Sequence, residues 1–237
     1  MVSNKDELVN SLLVSSVYDR YYKEDKITIQ NLFGVELVGT IAFNQNNPHH
    51  CYDLYGHLLK TVDYLKDLID INSSEDRLLL VAALYHDVGK IDVSKLKDGK
   101  NVFYGHADRS VEKISDFLDV VEFEEVESTM IKFYIKHHDD FISWKHIDED
   151  VTDNNRSHRN ICLKEFEKYL NKVIEQYNGA VWIRKRELWH RLMKLCYADV
   201  QAQSDIVIWK GKVVNSKAQK IKRITAIQEI IKNALLE

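Results

Sequence analysis

The sequence predicts an all-α fold, and both its composition and its patterning indicate this. The chain has 237 residues with a single Pro and 8 Gly, while Leu, Ile, Lys and Glu are abundant. Such a composition favours helices joined by short connections over a sheet-rich fold. Apolar residues also recur at helical spacing in several long segments. With 45% hydrophobic residues, the chain is long enough to bury a sizeable core.

Charge, apolar runs and cysteines exclude several classes of protein. No apolar stretch is long enough to span a bilayer, and residues 1–7 lack the apolar run of a signal peptide. We therefore expect a cytoplasmic protein with no membrane partner. The net charge of −4 excludes a globally basic nucleic-acid binder. The cysteines, Cys51, Cys162 and Cys196, fit neither a disulfide framework nor a Cys-rich zinc site. No pattern indicates the oligomeric state.

The N-terminal part predicts two helices separated by an unassigned stretch. Residues 6–22 carry apolar side chains at helical spacing and predict an amphipathic helix. The pattern over residues 27–43 is mixed and predicts no element. Residues 52–71 predict a second helix, in which His57 lies beside the apolar stripe and points inward. Taken alone, His57 is either a hydrogen-bonded core histidine or a metal ligand.

The next predicted helix begins at Ser74 and ends at the adjacent pair His86-Asp87. Residues 78–84 are all apolar, so this helix is expected at the centre of the fold with its C-terminal end buried. A buried carboxylate is costly unless it is paired or bound to a cation. Adjacent His and Asp offer a metal two unlike ligands, and a carboxylate can bridge two ions. The sequence therefore predicts a metal site here. The alternative is an ordinary His-Asp pair at the surface.

Three further histidines follow in the middle of the chain. Residues 91–104 are polar and Lys-rich, and they predict a surface loop that is either a solvated connector or a cover for a phosphate. His106 lies at the start of a predicted helix over residues 105–121, and His137 and His138 end the helix that follows. Two adjacent histidines at a helix end are a stronger metal signal than one, and either or both of them could be ligands.

The C-terminal third supplies one more candidate ligand. We expect residues 146–158 to form a polar loop with exposed histidines, and residues 161–177 and 187–203 to form helices. Asp199 lies on the apolar stripe of the second of these helices, so it needs a buried partner. That partner is either a metal or one of the nearby cations Arg184, Arg186 and Lys194. A final helix over residues 215–236 starts with basic residues, which form either a solvated face or a nucleic-acid contact.

In chain order, the candidates are His57, His86, Asp87, His106, His137, His138 and Asp199. This order resembles the HD superfamily of metal-dependent phosphohydrolases, and His-Asp-Val-Gly-Lys at residues 86–90 is a typical form of its central motif. The resemblance covers residues 47–205. It implies a single HD-type domain, a helical bundle around a buried metal site, with an N-terminal extension over residues 1–46 and the additional C-terminal helix.

A narrower resemblance concerns three segments. Residues 47–57, 103–106 and 195–202 look like parts of the HD domain attached to bacterial tRNA CCA-adding nucleotidyltransferases. No Gly-Ser motif with paired acidic residues precedes these segments, so the nucleotidyltransferase head is absent and we expect no nucleotide addition.

The family resemblance also implies roles for the candidates. One divalent ion is held by His57, His86, Asp87 and Asp199. Where members of this family bind a second ion, Asp87 bridges the two ions, and His106 with one or both of His137 and His138 completes the shell of the second ion, so one or two divalent ions are expected. Asp87 and Lys90 are the expected catalytic residues, with Lys90 either near the phosphate or at a helix C-terminus. This ligand set suits Mn, Fe, Co, Ni or Zn, and Mg can act through the substrate phosphate.

The function that this resemblance implies is phosphohydrolysis by a metal-activated water, as a phosphomonoesterase or phosphodiesterase. The expected partner is a phosphorylated small molecule, a nucleotide, a cyclic nucleotide or a nucleic-acid end. Basic residues at 182–186 and in the final helix could receive its phosphates. Two other classes stay open: an HD-type diiron oxygenase, and a non-catalytic RNA- or protein-binding module that retains the metal site.

Overall fold

The computed structural model describes residues 4–145, 159–209, 212–234 and 236, and these residues are mostly helical. The all-α prediction is therefore confirmed. The helices are Lys5–Leu12 (α1), Val17–Tyr21 (α2), Lys26–Phe33 (α3), Val35–Val38 (α4), Leu54–Lys66 (α5), Ser74–Tyr85 (α6), Lys90–Val93 (α7), His106–Val120 (α8), Glu125–His137 (α9), Leu163–Gln176 (α10), Arg186–Gln201 (α11) and Ser216–Asn233 (α12). A 3₁₀ turn, Val181–Arg184, precedes α11. The loop predicted over residues 146–158 lies outside the described residues.

Two small antiparallel hairpins accompany the helices. Strands Lys95–Lys97 (β1) and Lys100–Val102 (β2) form the first, and Val207–Trp209 (β3) and Lys212–Val214 (β4) form the second. The first hairpin corrects the prediction of a plain loop over residues 91–104, which also contains α7. Asp98 and Gly99 both have positive φ, at 52° and 76°, and such a pair makes a tight two-residue hairpin turn.

The predicted helix over residues 6–22 is wrong as a single element. It breaks into α1 and α2, and the reason is a contact that is distant in sequence. The Asp63 carboxylate on α5 accepts hydrogen bonds from the backbone N–H groups of Val17 and Tyr18 at 2.7 and 3.1 Å. Ser16 caps the same helix end. The Asp63 carboxylate and the Ser16 hydroxyl thus accept the N–H groups that would bond to carbonyls of a continuous helix. A new helix, α2, therefore begins at Val17.

The unassigned stretch over residues 27–43 contains α3 and α4, separated at Gly34. Gly34 has a φ of 79°, which L residues rarely adopt, and it separates the two helices sharply. A Cβ atom at this position would also lie 2.7 Å from the ring of Phe117 on α8. The break is therefore set partly by packing that the local pattern does not contain.

Helix α6 lies at the centre of the fold, as its apolar sequence predicts. Every residue from Leu78 to Tyr85 is buried. The helix packs against α1, α5, α9 and α11, so its C-terminal end, where His86 and Asp87 follow, is enclosed by several helices. Among the described residues, no helix combines the length and the apolar character needed to cross a membrane.

A buried ion pair fastens the start of α6 to α11. The Asp76 carboxylate accepts a hydrogen bond from Arg191 Nε at 2.6 Å and one from the backbone N–H of Asp70 at 3.0 Å. Burial by itself would raise the pKa of Asp76, but Arg191, the Asp70 N–H and Lys194 outweigh it and lower the pKa below its ordinary value. The ionised carboxylate is therefore the form that the folded chain stabilises.

We expect Asp76→Asn to lower the free energy of unfolding at pH 7 by about 2 kcal/mol, the typical size of a hydrogen bond to a charged group. Because the folded pKa is lowered, the contribution of Asp76 is present above its unfolded pKa of about 4 and is lost as pH falls through the folded value. Urea unfolding between pH 7 and pH 3 measures both effects. Asp116→Asn, on the exposed face of α8, is the control. A loss that is equal at both pH values would contradict the assignment.

Candidate metal centre

Six of the predicted site residues meet where five long helices converge. His57 lies on α5, His86 and Asp87 follow α6, His106 begins α8, His138 follows α9, and Asp199 lies on α11. All of them are buried except His106, which is partly exposed. The arrangement places residues that are far apart in the sequence around the carboxylate of Asp87.

The six residues form two groups that share Asp87. In the first group, the ligand atoms of His57, His86, Asp87 and Asp199 all lie within 4.8 Å of one another. His57 Nε2 is 3.3 Å from Asp87 Oδ2 and 3.1 Å from Asp199 Oδ1. His86 Nε2 is also 3.3 Å from Asp87 Oδ2. This group can hold one metal ion.

The second group contains Asp87, His106 and His138, and their ligand atoms also lie within 4.8 Å of one another. It uses the other oxygen of the shared carboxylate. His106 Nε2 is 3.1 Å from Asp87 Oδ1, and His138 Nε2 is 3.5 Å from the same oxygen. Asp87 thus presents one oxygen to each group, which is the geometry expected of a carboxylate that bridges two ions.

The second ring nitrogen of each histidine in the two groups faces a backbone carbonyl. The Nδ1 atoms of His57, His86, His106 and His138 lie 3.2, 2.8, 2.9 and 2.7 Å from the carbonyl oxygens of Ala202, Ala83, Phe103 and Ile135. Because a carbonyl only accepts, Nδ1 carries the hydrogen and the neutral ring presents its Nε2 lone pair to the site. Metal-binding histidines are commonly oriented in this way.

The environment of one oxygen atom favours a cation at this site. Asp87 Oδ1 is buried and has no hydrogen-bond partner among the described residues. A buried carboxylate oxygen without a partner is costly, and a divalent ion between Asp87, His106 and His138 would satisfy it. Imidazole and carboxylate donors suit Mn, Fe, Co, Ni or Zn. The residues present therefore fit a divalent metal.

The pKa values of the site residues also favour a bound cation. Burial favours the neutral form of Asp87, yet Lys90 and His86 hold its pKa well below the ordinary value. Burial also favours neutral His86, but Asp87 and Asp199 raise the pKa of His86 to about 9. The buried carboxylates of Asp87 and Asp199 are therefore stabilised by nearby positive charge. A proton on His86 supplies part of this charge when no metal is bound.

Lys90 contacts Asp87 itself. Its Nζ lies 2.5 Å from Asp87 Oδ2 and donates a hydrogen bond to Gln45 Oε1 at 3.1 Å. His50 Nε2 lies 3.4 Å from the same amine, and the His50 ring packs edge-on against His57. Neither Gln45 nor His50 was assigned a role from the sequence, although His50 lies within the segment 47–57 and Gln45 lies just before it. Lys90 therefore neutralises and orients the shared carboxylate.

Gly89 explains why the central motif needs a glycine. Its backbone N–H donates a hydrogen bond to Ser110 Oγ at 2.9 Å. A Cβ atom at this position would lie 2.5 Å from both the carbonyl oxygen of His106 and the backbone nitrogen of Ser110. The turn after Asp87 therefore touches the backbone of α8, and this contact holds the start of α8, with His106, close to the Asp87 carboxylate.

The structure separates the two adjacent histidines of α9. His138 belongs to the second group, whereas His137 belongs to neither. His137 Nδ1 lies 2.6 Å from Asp140 Oδ2, and the Tyr169 hydroxyl donates to the same oxygen at 2.5 Å. Successive helical residues point about 100° apart, so only one of the two can face Asp87. His137 belongs to a separate hydrogen-bonded cluster beside the site.

The salt bridges considered for Asp199 are not formed. Arg186 donates hydrogen bonds to carbonyls at the C-terminal end of α12, including that of Ile231 at 3.1 Å. Lys194 lies 3.6 Å from Asp76 instead. Within the described part of the chain, no Arg or Lys forms an ion pair with Asp199, whose contacts are His57, His86 and Gln203.

A cavity of about 340 Å³ opens beside the second group. His106 and Asp139 line its inner side, and Gly105 and Ala107 bring the start of α8 to its wall. No side chain caps this helix start; the N–H of His106 donates to the carbonyl oxygen of Phe103 at 3.1 Å, and the N–H groups of Ala107 and Asp108 are available to an anion. Three cations line the cavity, Lys136, Arg159 and Lys172, together with the carboxylates of Asp108, Asp139 and Asp140, and Lys136 pairs with Asp108 at 2.8 Å.

A helical bundle around a buried His and Asp cluster that can hold metal defines the class of this protein. The sequence pattern of the HD domain matches residues 54–172, which is half of the chain, and the chain therefore belongs to the HD domain family. That family consists in general of metal-dependent hydrolases. Every candidate ligand except Asp199 lies within the matched residues. No curated protein matches the chain, and the narrower resemblance to CCA-adding enzymes stays a prediction.

We expect His86→Ala to abolish metal retention and leave the helix content largely unchanged, because the imidazole supplies a ligand atom at the end of an otherwise intact helix. Elemental analysis and far-UV circular dichroism on the same sample measure the two properties. His190→Ala is the matched control, since His190 also lies on a helix but belongs to neither group. Full metal content in His86→Ala would overturn the ligand assignment.

We expect Gly89→Ala to cost about 2 kcal/mol of stability, the usual penalty for overpacking, because the new methyl group meets the backbone of α8. It should also weaken the binding of an ion that contacts His106. Urea unfolding and metal titration measure the two effects. Gly39→Ala is the control, since its Cβ would lie 3.3 Å from only the tip of the Ile91 side chain. Equal behaviour of the two variants would contradict the proposed contact.

Proposed function

We propose that this HD domain protein is a metal-dependent phosphohydrolase that acts on a phosphorylated small molecule, a nucleotide, a cyclic nucleotide or a nucleic-acid end. The observation that carries the proposal is the shared carboxylate of Asp87, which offers one oxygen to each of two histidine-containing groups. Sites with two neighbouring metals are typical of enzymes that cleave phosphate esters. A resident metal of this kind supplies a hydroxide at neutral pH and neutralises phosphoryl oxygens.

The chain's own residues prepare this chemistry. Lys90 fixes the Asp87 carboxylate through Oδ2, and the backbone carbonyls behind the histidines fix the direction of each ring. His106 is the most exposed member of the cluster and also lines the cavity, so a ligand in the cavity lies beside the second group. Asp87 would thus be the ligand that the two groups share, and Lys90 is the residue that orients its carboxylate.

The cavity supports a phosphorylated substrate. The start of α8 lines the cavity through Gly105, His106 and Ala107, and a helix N-terminus favours an anion. Arg159 lies over the rings of Trp144 and Tyr169, at 5.6 and 5.3 Å from their centroids, and so is held at the cavity wall. Guanidinium and ammonium groups are the usual partners of phosphate oxygens. The volume falls within the range of small-molecule sites.

The basic residues first considered for phosphate binding have other contacts. Arg186 binds the C-terminal carbonyls of α12, as described above. In α12 itself, Lys217 donates to the carbonyl oxygen of Gln201 at 3.0 Å, and Lys220 donates to the side chain of Gln203. The support for a phosphate ligand therefore comes from the cavity beside α8 and not from these segments.

A screen of the purified protein tests the proposal. We expect release of phosphate, or opening of a cyclic phosphate, that depends on added Mn, Ni, Co or Mg and is lost in Asp87→Ala. The substrates are nucleotides, cyclic nucleotides and phosphorylated RNA ends. Two tightly held irons with oxygen consumption and no hydrolysis would favour the diiron oxygenase. Bound metal with neither activity would favour the non-catalytic module.

The same assay tests whether the substrate binds in the cavity beside α8. Once a substrate is found, Lys172→Gln should raise its KM about tenfold, because a cation that lines the cavity is removed. Lys168→Gln is the matched control on the same helix, since Lys168 pairs with Glu165 on the exposed side of α10. Equal KM values in the two variants would show that substrate binds elsewhere.

A further inference from the structure

The turn that ends α11 contacts two ligands of the first metal group from behind. The carbonyl oxygen of Ala202 accepts from His57 Nδ1 at 3.2 Å. Gln203 Nε2 donates to both oxygens of Asp199, at 3.0 and 3.1 Å. Gln203 is buried, so water does not compete for these bonds. The orientation of the Asp199 carboxylate therefore depends on the orientation of the Gln203 amide.

An amide side chain has a donor end and an acceptor end, and a rotation of 180° about its last bond exchanges them. With the ends exchanged, the amide oxygen would face the Asp199 carboxylate and repel it. Lys220 on α12 prevents this rotation. Its Nζ donates a hydrogen bond to Gln203 Oε1, and an ammonium group can only donate. As long as this bond is present, the NH₂ group faces Asp199.

A second lysine of α12 holds the backbone of the same turn. Lys217 Nζ donates to the carbonyl oxygen of Gln201 at 3.0 Å and pairs with Asp205 at 2.6 Å. The start of α12 is thus attached to the turn by two side chains that reach different groups. Helix α12 and the turn both lie outside the residues that match the HD domain family, 54–172. They add a support to the metal centre beyond the matched part of the chain.

We propose that Lys220 is a positioning residue for the metal centre, which fixes the Gln203 amide and, through it, the Asp199 carboxylate. The inference rests on the proposed metal binding by the first group. It extends that proposal, because it assigns to the C-terminal helix a role in the affinity and geometry of the ion. Outer partners that orient metal ligands typically change metal affinity 10–100-fold when they are removed.

The direction of the change in metal affinity when Lys220 is replaced distinguishes a positioning role from a purely electrostatic one. A cation near a metal site repels the metal, so a purely electrostatic role for Lys220 predicts that Lys220→Met binds metal more tightly. A positioning role predicts the opposite, because the freed amide no longer holds Asp199 in its binding orientation. The metal affinity of Lys220→Met alone therefore distinguishes the positioning role from the electrostatic role.

The experiment is a titration of metal-free protein with Mn²⁺ by calorimetry. It compares the wild type with Lys220→Met, Gln203→Met and the double variant. We expect each single variant to bind the ion of the first group about tenfold more weakly or worse. The double variant should be no weaker than Gln203→Met alone, because both changes remove the same support. Lys220→Arg, which keeps a donor, should recover part of the affinity.

Lys222→Met is the matched control, since it makes the same change on the exposed side of α12. Circular dichroism confirms that each variant is folded, and the absorption bands of bound Co²⁺ report a change in ligand geometry that lost stability alone would not produce. If Gln203→Met does not fold, the direction of the change in metal affinity for Lys220→Met still tests the positioning role.

Unchanged or tighter binding in Lys220→Met, or fully additive losses in the double variant, would overturn the positioning role and leave the metal site intact. A wild type that binds no Mn²⁺, Zn²⁺ or Fe²⁺ would overturn the metal site and the positioning role together. The two failures are therefore distinguishable in one set of titrations.

Discussion

The buried negative charge of Asp87 is the constraint on which the rest of the site depends. A carboxylate at the centre of a helical bundle is stable only with positive charge or donors around it. Lys90 meets one oxygen, while the other is buried without a hydrogen-bond partner among the described residues. The imidazole Nε2 atoms around Asp87 present lone pairs rather than hydrogens when the rings are neutral. A bound cation reconciles these features, since it satisfies the free oxygen and the lone pairs at the same time.

The fold provides this arrangement largely through helix ends. His86, His106 and His138 each stand at the end of a helix, and each directs Nδ1 to the carbonyl oxygen three residues earlier in the chain. This local bond orients the ring without help from another element. His57 differs, because it lies within α5 and depends on the carbonyl of Ala202 at the end of α11. In the first group, His57 and Asp199 are therefore supported by the C-terminal part of the chain, whereas His86 and both histidines of the second group are oriented by local bonds.

Helices α11 and α12 therefore contribute to the metal centre that we propose. Helix α11 carries Asp199, and the turn behind it is attached to α12 through Lys217 and Lys220. The other end of α12 is fixed to the start of α11 by Arg186. A helix held at both ends restrains the turn, and the turn restrains one carboxylate of the site. The proposed hydrolase activity would then depend on residues well outside the family match.

The sequence by itself determined the all-α fold, the central position of α6 and seven candidate ligands that include the six residues of the site, because these follow from local composition and helical periodicity. Only the tertiary structure decided that His138 and not His137 faces Asp87, since adjacent residues on one helix carry the same pattern signal. It also decided the break before α2, which Asp63 of α5 imposes. The roles of Gln203 and Lys220 were likewise beyond sequence reasoning. Polar contacts between residues far apart in the chain leave no periodic trace, and they become visible only when packing has brought the helices together.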